Sequence, residues 1–234
     1  MSEIINDDCL VALPKLADDS VKMTFTSPPY NTGNSGKNKG MYKNYGDNLK
    51  DEEYFQLLDK SLKECMRVSS GLVFYNLNFM RNNTRTILRW LHENSEFMRD
   101  IITWDKCKVQ PPIGNIVGKR CEYIYIFSKD KKAVINDFRK NKAANYKEVF
   151  GSWLSNLCKV DLSTDKTDAK IHRAGFPVNL PKVFIDMYSE EGDTILDPFM
   201  GLGATAVAAK MLGREYLGIE MSPEYVEIIK ERIK

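Results

Sequence analysis

The chain has 234 residues, of which 43% are hydrophobic and 28% are charged, and these values exclude a disordered, collagen-like or coiled-coil protein. This length is enough to bury the core of one large α/β domain without disulfides or a structural metal. The 34 Lys and Arg residues nearly balance the 32 acids, and the formal net charge of +2 argues against a histone-like protein. Five cysteines without a CxxC pair and only two histidines predict no disulfide scaffold and no metal site. No signal-like or membrane-spanning segment is recognisable, so we expect a soluble, cytoplasmic protein.

The first half of the chain predicts a strand at 21–26 that stops abruptly at the sequence Ser27-Pro28-Pro29-Tyr30. Apolar residues at helical spacing predict a helix over 52–68. Further strands are predicted at 71–77, 101–104 and 122–127. Residues 31–50 are rich in Gly, Asn and Lys and predict a mobile loop. Residues 128–170 are polar and basic without a clear period, and predict an insertion on the scaffold that is not part of it.

The C-terminal part predicts a strand-helix-strand-helix unit, the building block of a parallel sheet. The strand 194–196 is followed by a glycine turn at 201–203 and by a helix at 204–212, with Gly213 as its C-cap. A second strand at 216–219 ends in Glu220. The last helix then begins with Ser222 as N-cap and Pro223 in its first turn.

The glycine turn predicts a nucleotide-type cofactor site. Residues 201–206 match the pattern G-x-G-x-x-G/A, and Glu220 lies 23 positions beyond Asp197, a spacing that suits a ribose-binding acid. Small residues at such a turn are also explained by close helix packing alone. Asp197, however, would repel the pyrophosphate of a dinucleotide. It favours a cofactor that carries an ammonium and a sulfonium group but no phosphate, namely S-adenosyl-L-methionine.

The Ser-Pro-Pro-Tyr turn predicts a site for an amine. Two prolines fix φ at successive positions and remove two backbone donors, which leaves rigid carbonyl acceptors; a plain strand-ending loop is the alternative. If the Ser27 hydroxyl and the Pro28 carbonyl accept the two N–H bonds of an exocyclic amine, the lone pair of its nitrogen points at a methyl donor. Tyr30 would stack on a base rotated out of the duplex. Such catalysis needs positioning and polarisation, and no covalent intermediate.

These motifs resemble those of the S-adenosylmethionine-dependent amino-methyltransferases of DNA, in the β-class order with the catalytic motif early and the cofactor motif late. Trp104-Asp105-Lys106 and Glu122-Tyr123-Ile124 also stand in family-like places. The resemblance implies a Rossmann-like α/β fold with a mixed, mainly parallel sheet and helices on both faces, spanning residues 1–234 as a single catalytic domain. It also implies a DNA-facing loop at 31–50 and a short target-recognition insertion at 130–168.

The resemblance carries roles to individual residues. The catalytic residues are Ser27, Pro28, Pro29 and Tyr30. The cofactor-binding residues are Asp8, Cys9, His172, Phe176, Pro177, Asp197, Pro198, Phe199, Gly201, Gly203, Thr205, Glu220, Met221 and Ser222. Basic residues of the two polar segments are expected to contact the phosphates of double-stranded DNA: Lys37, Lys39, Lys43, Arg139, Lys140 and Lys142. A homodimer and a cognate restriction endonuclease are further partners that the resemblance leaves open.

The charge distribution agrees with these roles. Residues 31–50 hold four Lys against one Asp, residues 129–147 hold six Lys and one Arg against two Asp, and residues 190–234 hold nine acids against five bases. The basic surplus therefore falls on the two segments expected to face DNA, and the acidic surplus on the cofactor half.

The chemistry leaves alternatives. The resemblance favours cytosine N4 as the methylated atom, because serine in the first position of the catalytic motif is more typical of the cytosine-N4 enzymes of that family, but adenine N6 remains open because either amine can donate to a serine oxygen. Cytosine-C5 methylation is not expected, since no cysteine directly follows a proline. A dinucleotide-dependent oxidoreductase would explain the glycine turn but not Asp197 or the Ser-Pro-Pro-Tyr turn. A non-catalytic nucleic-acid binding module would explain only the basic segments.

Overall fold

A computed structural model describes residues 2–33, 47–110, 117–131, 156–161 and 175–234. The strands in these ranges are β1 (Glu3–Ile5), β2 (Met23–Thr26), β3 (Val73–Leu77), β4 (Met98–Gln110), β5 (Lys119–Phe127), β6 (Leu157–Lys159), β7 (Thr194–Asp197) and β8 (Glu215–Ile219). The helices are α1 (Cys9–Ala12), α2 (Asp51–Val68), α3 (Thr84–Glu93), α4 (Asn179–Tyr188), α5 (Ala204–Met211) and α6 (Pro223–Ile233), with a 3-10 turn at Leu13–Lys15.

The strands form one mixed sheet in the order β1-β8-β7-β2-β3-β5-β4-β6. The five strands from β1 to β3 in that order run parallel, whereas β5 lies antiparallel to both β3 and β4. From β7 the chain crosses through α5 to β8 on one side, and from β2 it crosses through α2 to β3 on the other. The sheet therefore has a topological switch point between β7 and β2, where open α/β sheets bind ligands beyond the carboxyl ends of the strands.

Both faces of the sheet are buried, as expected for parallel strands. Tyr75 and Leu77 of β3 face a core formed with α2 and α3, in which Trp90 is fully buried. Phe74 of the same strand faces the opposite core, where Phe184 of α4 packs 5.3 Å from it between ring centroids. Because side chains along β3 alternate between the two faces of the sheet, β3 packs against helices on both faces.

The predicted strands and helices of the first half and of the C-terminal unit are confirmed, with small differences in their bounds. β4 and β5 are longer than predicted because they pair with each other as a hairpin. The C-cap of α5 is Leu212 and not the predicted Gly213, which follows one position later with φ +74°, a value that glycine adopts without strain.

One expectation for the polar segment 128–170 is wrong in part. Leu157–Lys159 pairs in parallel with β4 and forms the edge strand β6 of the scaffold. Cys158 is fully buried there, and the Nε1 atom of Trp104 donates to the carbonyl oxygen of Val160 at 2.9 Å. The edge strand was missed because three residues are too few to show a period. The rest of the predicted insertion, 132–155 and 162–170, and the predicted loop residues 34–46 lie outside the described residues. No helix in the described part of the chain has the length and apolar character needed to cross a bilayer.

Candidate active site

The two predicted motifs meet at the switch point of the sheet. The Ser27–Tyr30 turn, which is the predicted catalytic motif, follows β2 and the glycine turn follows β7, and these strands are hydrogen-bonded neighbours. The hydroxyl of Thr26, the last residue of β2, donates to Oδ1 of Asp197, the last residue of β7, at 2.6 Å. Sequence reasoning missed Thr26, because only the strand order brings it beside Asp197.

Asp197 is a buried carboxylate that can accept a further hydrogen bond. The residue is 3% exposed, and its Oδ1 also accepts the backbone N–H of Phe199 at 3.1 Å. Burial raises the pKa of Asp197 to about 6, partly offset by the hydrogen bond from Thr26. Its Oδ2 is buried and has no hydrogen-bond partner among the described residues. An unpaired buried acceptor is costly and marks a place where a bound cation would be stabilised.

The turn after Asp197 depends on its glycines. Gly201 and Gly203 have φ of +54° and +76°, and a Cβ on Gly203 would lie 2.8 Å from Cγ2 of Ile229 in α6. Glycine therefore serves both the left-handed backbone and the close packing of α6. The turn is tied to the next strand, since the N–H of Gly201 donates to Oε2 of Glu220 at 2.8 Å.

Glu220 holds the end of β8 to the glycine turn. Its Oε1 accepts the N–H of Ser222 at 2.8 Å, so each carboxylate oxygen accepts one backbone N–H and keeps a further lone pair. Burial, with a smaller contribution from the charge of Asp197, raises the pKa of Glu220 against the effect of these hydrogen bonds. Asn6 links the N-terminal segment here, because its side-chain amide donates to the carbonyl oxygen of Glu220 at 2.7 Å.

The predicted cofactor-binding residues Asp8 and Cys9 have two different environments. Asp8 is the N-cap of α1 and accepts the N–H of Leu10 at 2.8 Å. The Cys9 side chain is buried in the core against α2, and burial raises the pKa of its thiol far above the usual range. Asn6 brings this segment to Glu220, but the Cys9 thiol faces the core.

The remaining predicted cofactor residues fall into two groups. Pro198 and Ser222 are buried, and Phe199 is half-buried, beside Asp197 and Glu220, whereas Met221 is exposed.

The second group lies around Phe25 of β2. Thr205 is buried, and its hydroxyl donates to the carbonyl oxygen of Phe25 at 3.3 Å. Phe176 packs edge-on against Phe25 at 5.6 Å, and Pro177 is buried at the start of α4, where its carbonyl oxygen accepts the N–H of Leu180. His172 lies outside the described residues, as do Lys37, Lys39, Lys43, Arg139, Lys140 and Lys142.

Side chains of α2 and of the start of α3 donate hydrogen bonds to the backbone of the Ser-Pro-Pro-Tyr turn. The hydroxyl of Tyr54 donates to the carbonyl oxygen of Pro29 at 2.9 Å, and the amide of Asn83 donates to that of Tyr30 at 2.6 Å. Asn31 leaves the turn with φ +53°, which asparagine tolerates. The Pro28 carbonyl is not among the acceptors that these two side chains engage.

Ser27 is oriented as an acceptor. Its hydroxyl lies 3.1 Å from the backbone carbonyl oxygen of Asn76, a group that can only accept. When the hydroxyl proton is donated there, the oxygen lone pairs of Ser27 remain for a donor in the site. A longer contact of 3.4 Å joins the Ser27 hydroxyl to that of Tyr30.

Tyr30 is anchored by a polar network that sequence reasoning missed. Its hydroxyl donates to Oε2 of Glu122 at 2.7 Å, and the side-chain amide of Asn76 donates to both of these oxygens, at 3.0 and 3.1 Å. Glu122 in turn accepts from Nζ of Lys106 at 3.1 Å. The family-like segments that contain Lys106 and Glu122 were the available signal, but they carried no role.

The two ends of the predicted 31–50 loop are joined to each other. The backbone N–H and hydroxyl of Thr32 both donate to Oδ2 of Asp47, and the N–H of Gly33 donates to the Asp47 carbonyl oxygen at 2.8 Å. The side-chain amide of Asn31 donates to the carbonyl oxygen of Leu49 at 2.9 Å. Residues 31–33 and 47–49 therefore lie against each other directly after the Ser-Pro-Pro-Tyr turn.

The family model described as DNA methylase (N6_N4_Mtase) matches residues 21–231. The chain belongs to the DNA methylase family. The predicted family and fold are confirmed, and family membership argues against the oxidoreductase alternative. Within the described ranges, no group of three or more His, Cys, Asp or Glu side chains is placed to hold a metal ion.

Similarity to individual proteins is consistent with membership of the DNA methylase family. The chain is 29% identical over 256 aligned residues to the Type II methyltransferase M.HinfI of Haemophilus influenzae, in an alignment that covers 100% of this chain and 68% of that protein. The solved PvuII DNA methyltransferase (cytosine-N4-specific) superposes with a TM-score of 0.76 at 23% identity, over 100% of this chain and 86% of that one. The TTHA0409 protein of Thermus thermophilus, solved in complex with S-adenosyl-L-methionine, gives 0.69 at 24% identity, over 100% and 95%. At these identities the two structures establish the shared fold.

Proposed function

We propose that this DNA methylase transfers a methyl group from S-adenosyl-L-methionine to the exocyclic amine of a base flipped out of double-stranded DNA, with cytosine N4 as the target. The observation that carries the proposal is the hydrogen bond between Thr26 and Asp197, because it brings an amine-accepting turn and a cation-accepting carboxylate to one crevice. A methyl donor on the Asp197 side would face an amine held on the Ser27 side.

The cofactor half fits S-adenosyl-L-methionine. The buried, unpartnered Oδ2 of Asp197 suits the ammonium group of the cofactor, and a carboxylate at this position disfavours a phosphate. The spare lone pairs of Glu220 suit two ribose hydroxyls. The bound cofactor supplies an activated methyl group. The TTHA0409 complex, on the same fold, supports this assignment.

The residues on the Ser27 side of the crevice suit methylation of an amine nitrogen rather than of a ring carbon. Ser27, with its proton directed to the Asn76 carbonyl, offers lone pairs to one N–H of the amine, and the Pro28 carbonyl offers them to the other. The half-exposed Tyr30 offers a ring on which the flipped base can stack. Cys9 and Cys65 are unsuited to attack a base carbon, because burial raises the pKa of the Cys65 thiol to about 12 and that of Cys9 further.

Cytosine N4 is preferred over adenine N6 for two reasons. The catalytic turn begins with serine, and the PvuII enzyme, which is named as cytosine-N4-specific, shares the fold. Adenine N6 is the second candidate, since its amine presents the same two N–H bonds to Ser27 and Pro28.

Two arginines support binding to duplex DNA. Arg81 and Arg85 are exposed and line a groove of about 410 Å³ together with Asn31, Gly33 and Asn82. This groove adjoins the catalytic turn, because the Asn82 amide donates to the Thr32 carbonyl oxygen at 3.1 Å. Guanidinium groups here would meet phosphates that flank a flipped base. We propose that the segments 31–50 and 130–168 extend this DNA-facing surface, and that a restriction endonuclease is the partner, as the Type II name of M.HinfI suggests.

The proposal is tested by offering the purified protein tritiated S-adenosyl-L-methionine with unmethylated duplex DNA, RNA and protein as separate acceptors. The expected result is label in DNA alone, recovered after digestion as N4-methylcytosine. Label recovered as N6-methyladenine would select the second candidate. Label in 5-methylcytosine, or in RNA or protein but not in DNA, would overturn the proposal.

A further inference from the structure

A charged pair lies buried directly behind the catalytic turn. The side chain of Lys106 is 1% exposed and that of Glu122 is 14% exposed, and Nζ of Lys106 lies 3.1 Å from Oε1 of Glu122. Lys106 lies on β4 and Glu122 on β5, and both strands lie outside the parallel half of the sheet that carries the glycine turn. A buried ion pair adds little to stability compared with apolar residues of equal volume, so its presence needs another explanation.

The pair is directed at Tyr30. Oε1 of Glu122 faces Lys106, and Oε2 accepts the Tyr30 hydroxyl at 2.7 Å together with the Asn76 amide at 3.1 Å. Hydrogen bonds to a charged acceptor are the strong ones, and this acceptor is held on both oxygens. The Asn76 amide also reaches the Tyr30 hydroxyl, so the end of the Tyr30 ring is fixed from two directions.

The same contacts reach Ser27. The carbonyl oxygen of Asn76, whose side chain is part of the network, is the acceptor of the Ser27 hydroxyl. A shift of Asn76 would therefore alter both the ring on which a base stacks and the hydroxyl that accepts its amine. Small displacements of such groups lower the rate of a reaction that depends on positioning.

We propose that the Lys106–Glu122 ion pair is a positioning device for methyl transfer, which acts through the Tyr30 hydroxyl to hold the aromatic ring and the Ser27 acceptor in their working geometry. This inference rests on the proposed function. Neither residue touches the reacting atoms. The charge of Glu122 is needed because it accepts on both oxygens, whereas a glutamine has one acceptor oxygen and would turn its NH₂ group toward a donor on one side.

The test is a double-mutant cycle with unmethylated duplex DNA and tritiated S-adenosyl-L-methionine. Tyr30→Phe keeps the ring and removes the hydroxyl link, and Glu122→Gln disturbs the same link from its other end. Each is expected to lower kcat about tenfold, the effect of one hydrogen bond to a charged group. The double variant is expected to be no slower than either single variant, with KM for the cofactor unchanged throughout.

A control and a fallback keep the result interpretable. Arg120 and Asp105 pair across the same two strands at 2.6 Å without contacting Tyr30, so Arg120→Gln should leave kcat unchanged. If Glu122→Gln alone does not fold because Lys106 is left without its counter-charge, the cycle is run with Lys106→Met/Glu122→Gln in its place.

The outcomes separate this inference from the proposed function. A loss of about a hundredfold in kcat of the double variant, the product of two independent tenfold losses, would show that Glu122 does not act through Tyr30. A change in KM for the cofactor as large as the change in kcat would show the same. Either result would overturn the inference while methyl transfer itself stands. A wild-type protein that transfers no label to DNA would overturn the proposed function, and this inference with it.

Discussion

The Oγ1 atom of Thr26 lies 2.6 Å from Oδ1 of Asp197, and this buried hydrogen bond joins β2, which leads into the Ser-Pro-Pro-Tyr turn, to β7, which leads into the glycine turn. Each residue is the last of its strand, so the bond sits at the edge of the switch-point crevice. The distance between the two halves of the site is therefore set by rigid sheet residues and not by loops.

Replacing Thr26 with Val should weaken cofactor binding. The substitution conserves shape, removes the hydroxyl that stabilises the carboxylate, and so raises the pKa of Asp197 further. We expect a loss of about 1–3 kcal/mol in the free energy of unfolding, as for other buried partners of a charged group, and about a tenfold weaker affinity for S-adenosyl-L-methionine in calorimetry.

The matched control is Thr24→Val on the same strand. Thr24 is also fully buried, and its hydroxyl lies 2.9 Å from that of Ser69, whereas the hydroxyl that donates to Asp197 is that of Thr26. This variant should lose stability but bind the cofactor as the wild type does. Equal losses of affinity in the two variants would show that the Thr26–Asp197 bond has no specific role.

Asp197→Asn should stabilise the ligand-free protein at pH 7 while abolishing cofactor binding. The folded-state pKa of Asp197, about 6, is raised above the ordinary 3.8, so the folded protein binds more protons than the unfolded chain between these values. Stability therefore falls as pH rises through this window, by at most about 3 kcal/mol. The neutral variant avoids that loss.

Urea unfolding at pH 4 and pH 7 checks this prediction. Near pH 4 the wild-type carboxyl is protonated and the variant should have nearly equal stability, whereas at pH 7 the variant should be the more stable protein. Cofactor affinity of the wild type should fall as pH drops below about 6. A variant that is less stable at pH 7 would contradict this description of Asp197.

Gly203→Ala should cost more stability than Gly192→Ala. Both glycines have positive φ, +76° and +85°, and share the backbone cost of about 1–2 kcal/mol. A Cβ at Gly192 meets nothing within 4 Å, whereas one at Gly203 would lie 2.8 Å from Ile229. Overpacking should add about 1–3 kcal/mol in chemical denaturation. Equal losses would mean that α6 moves away freely and does not fix the turn.

Arg81→Ala/Arg85→Ala should weaken DNA binding in a salt-dependent way. If each guanidinium meets one phosphate, the slope of log affinity against log salt should become shallower by about 0.9 per arginine in fluorescence anisotropy titrations. Lys230→Ala removes an exposed charge of α6, where Lys230 pairs with Glu227, and should leave the slope unchanged. An unchanged slope in the double arginine variant would remove this groove from the DNA surface.

The conformations of the predicted motifs could be anticipated from the sequence because they depend on nearby residues. Ser27 to Tyr30, the glycine turn and Ser222 owe their conformations to prolines, glycines and caps within a few residues. The bond between Tyr30 and Glu122 spans 92 positions and that between Thr26 and Asp197 spans 171, and each depends on strand order. Hydrophobic periodicity indicates which segments are strands but not which strands are neighbours.

The most direct test of the whole account is mass spectrometry of nucleosides from duplex DNA treated with the wild type and with Ser27→Ala. We expect N4-methylcytosine from the wild type, and at least a roughly tenfold slower appearance with Ser27→Ala at unchanged cofactor affinity, because one acceptor of the amine is lost. Appearance of 5-methylcytosine, or an unaltered rate without the Ser27 hydroxyl, would contradict the account.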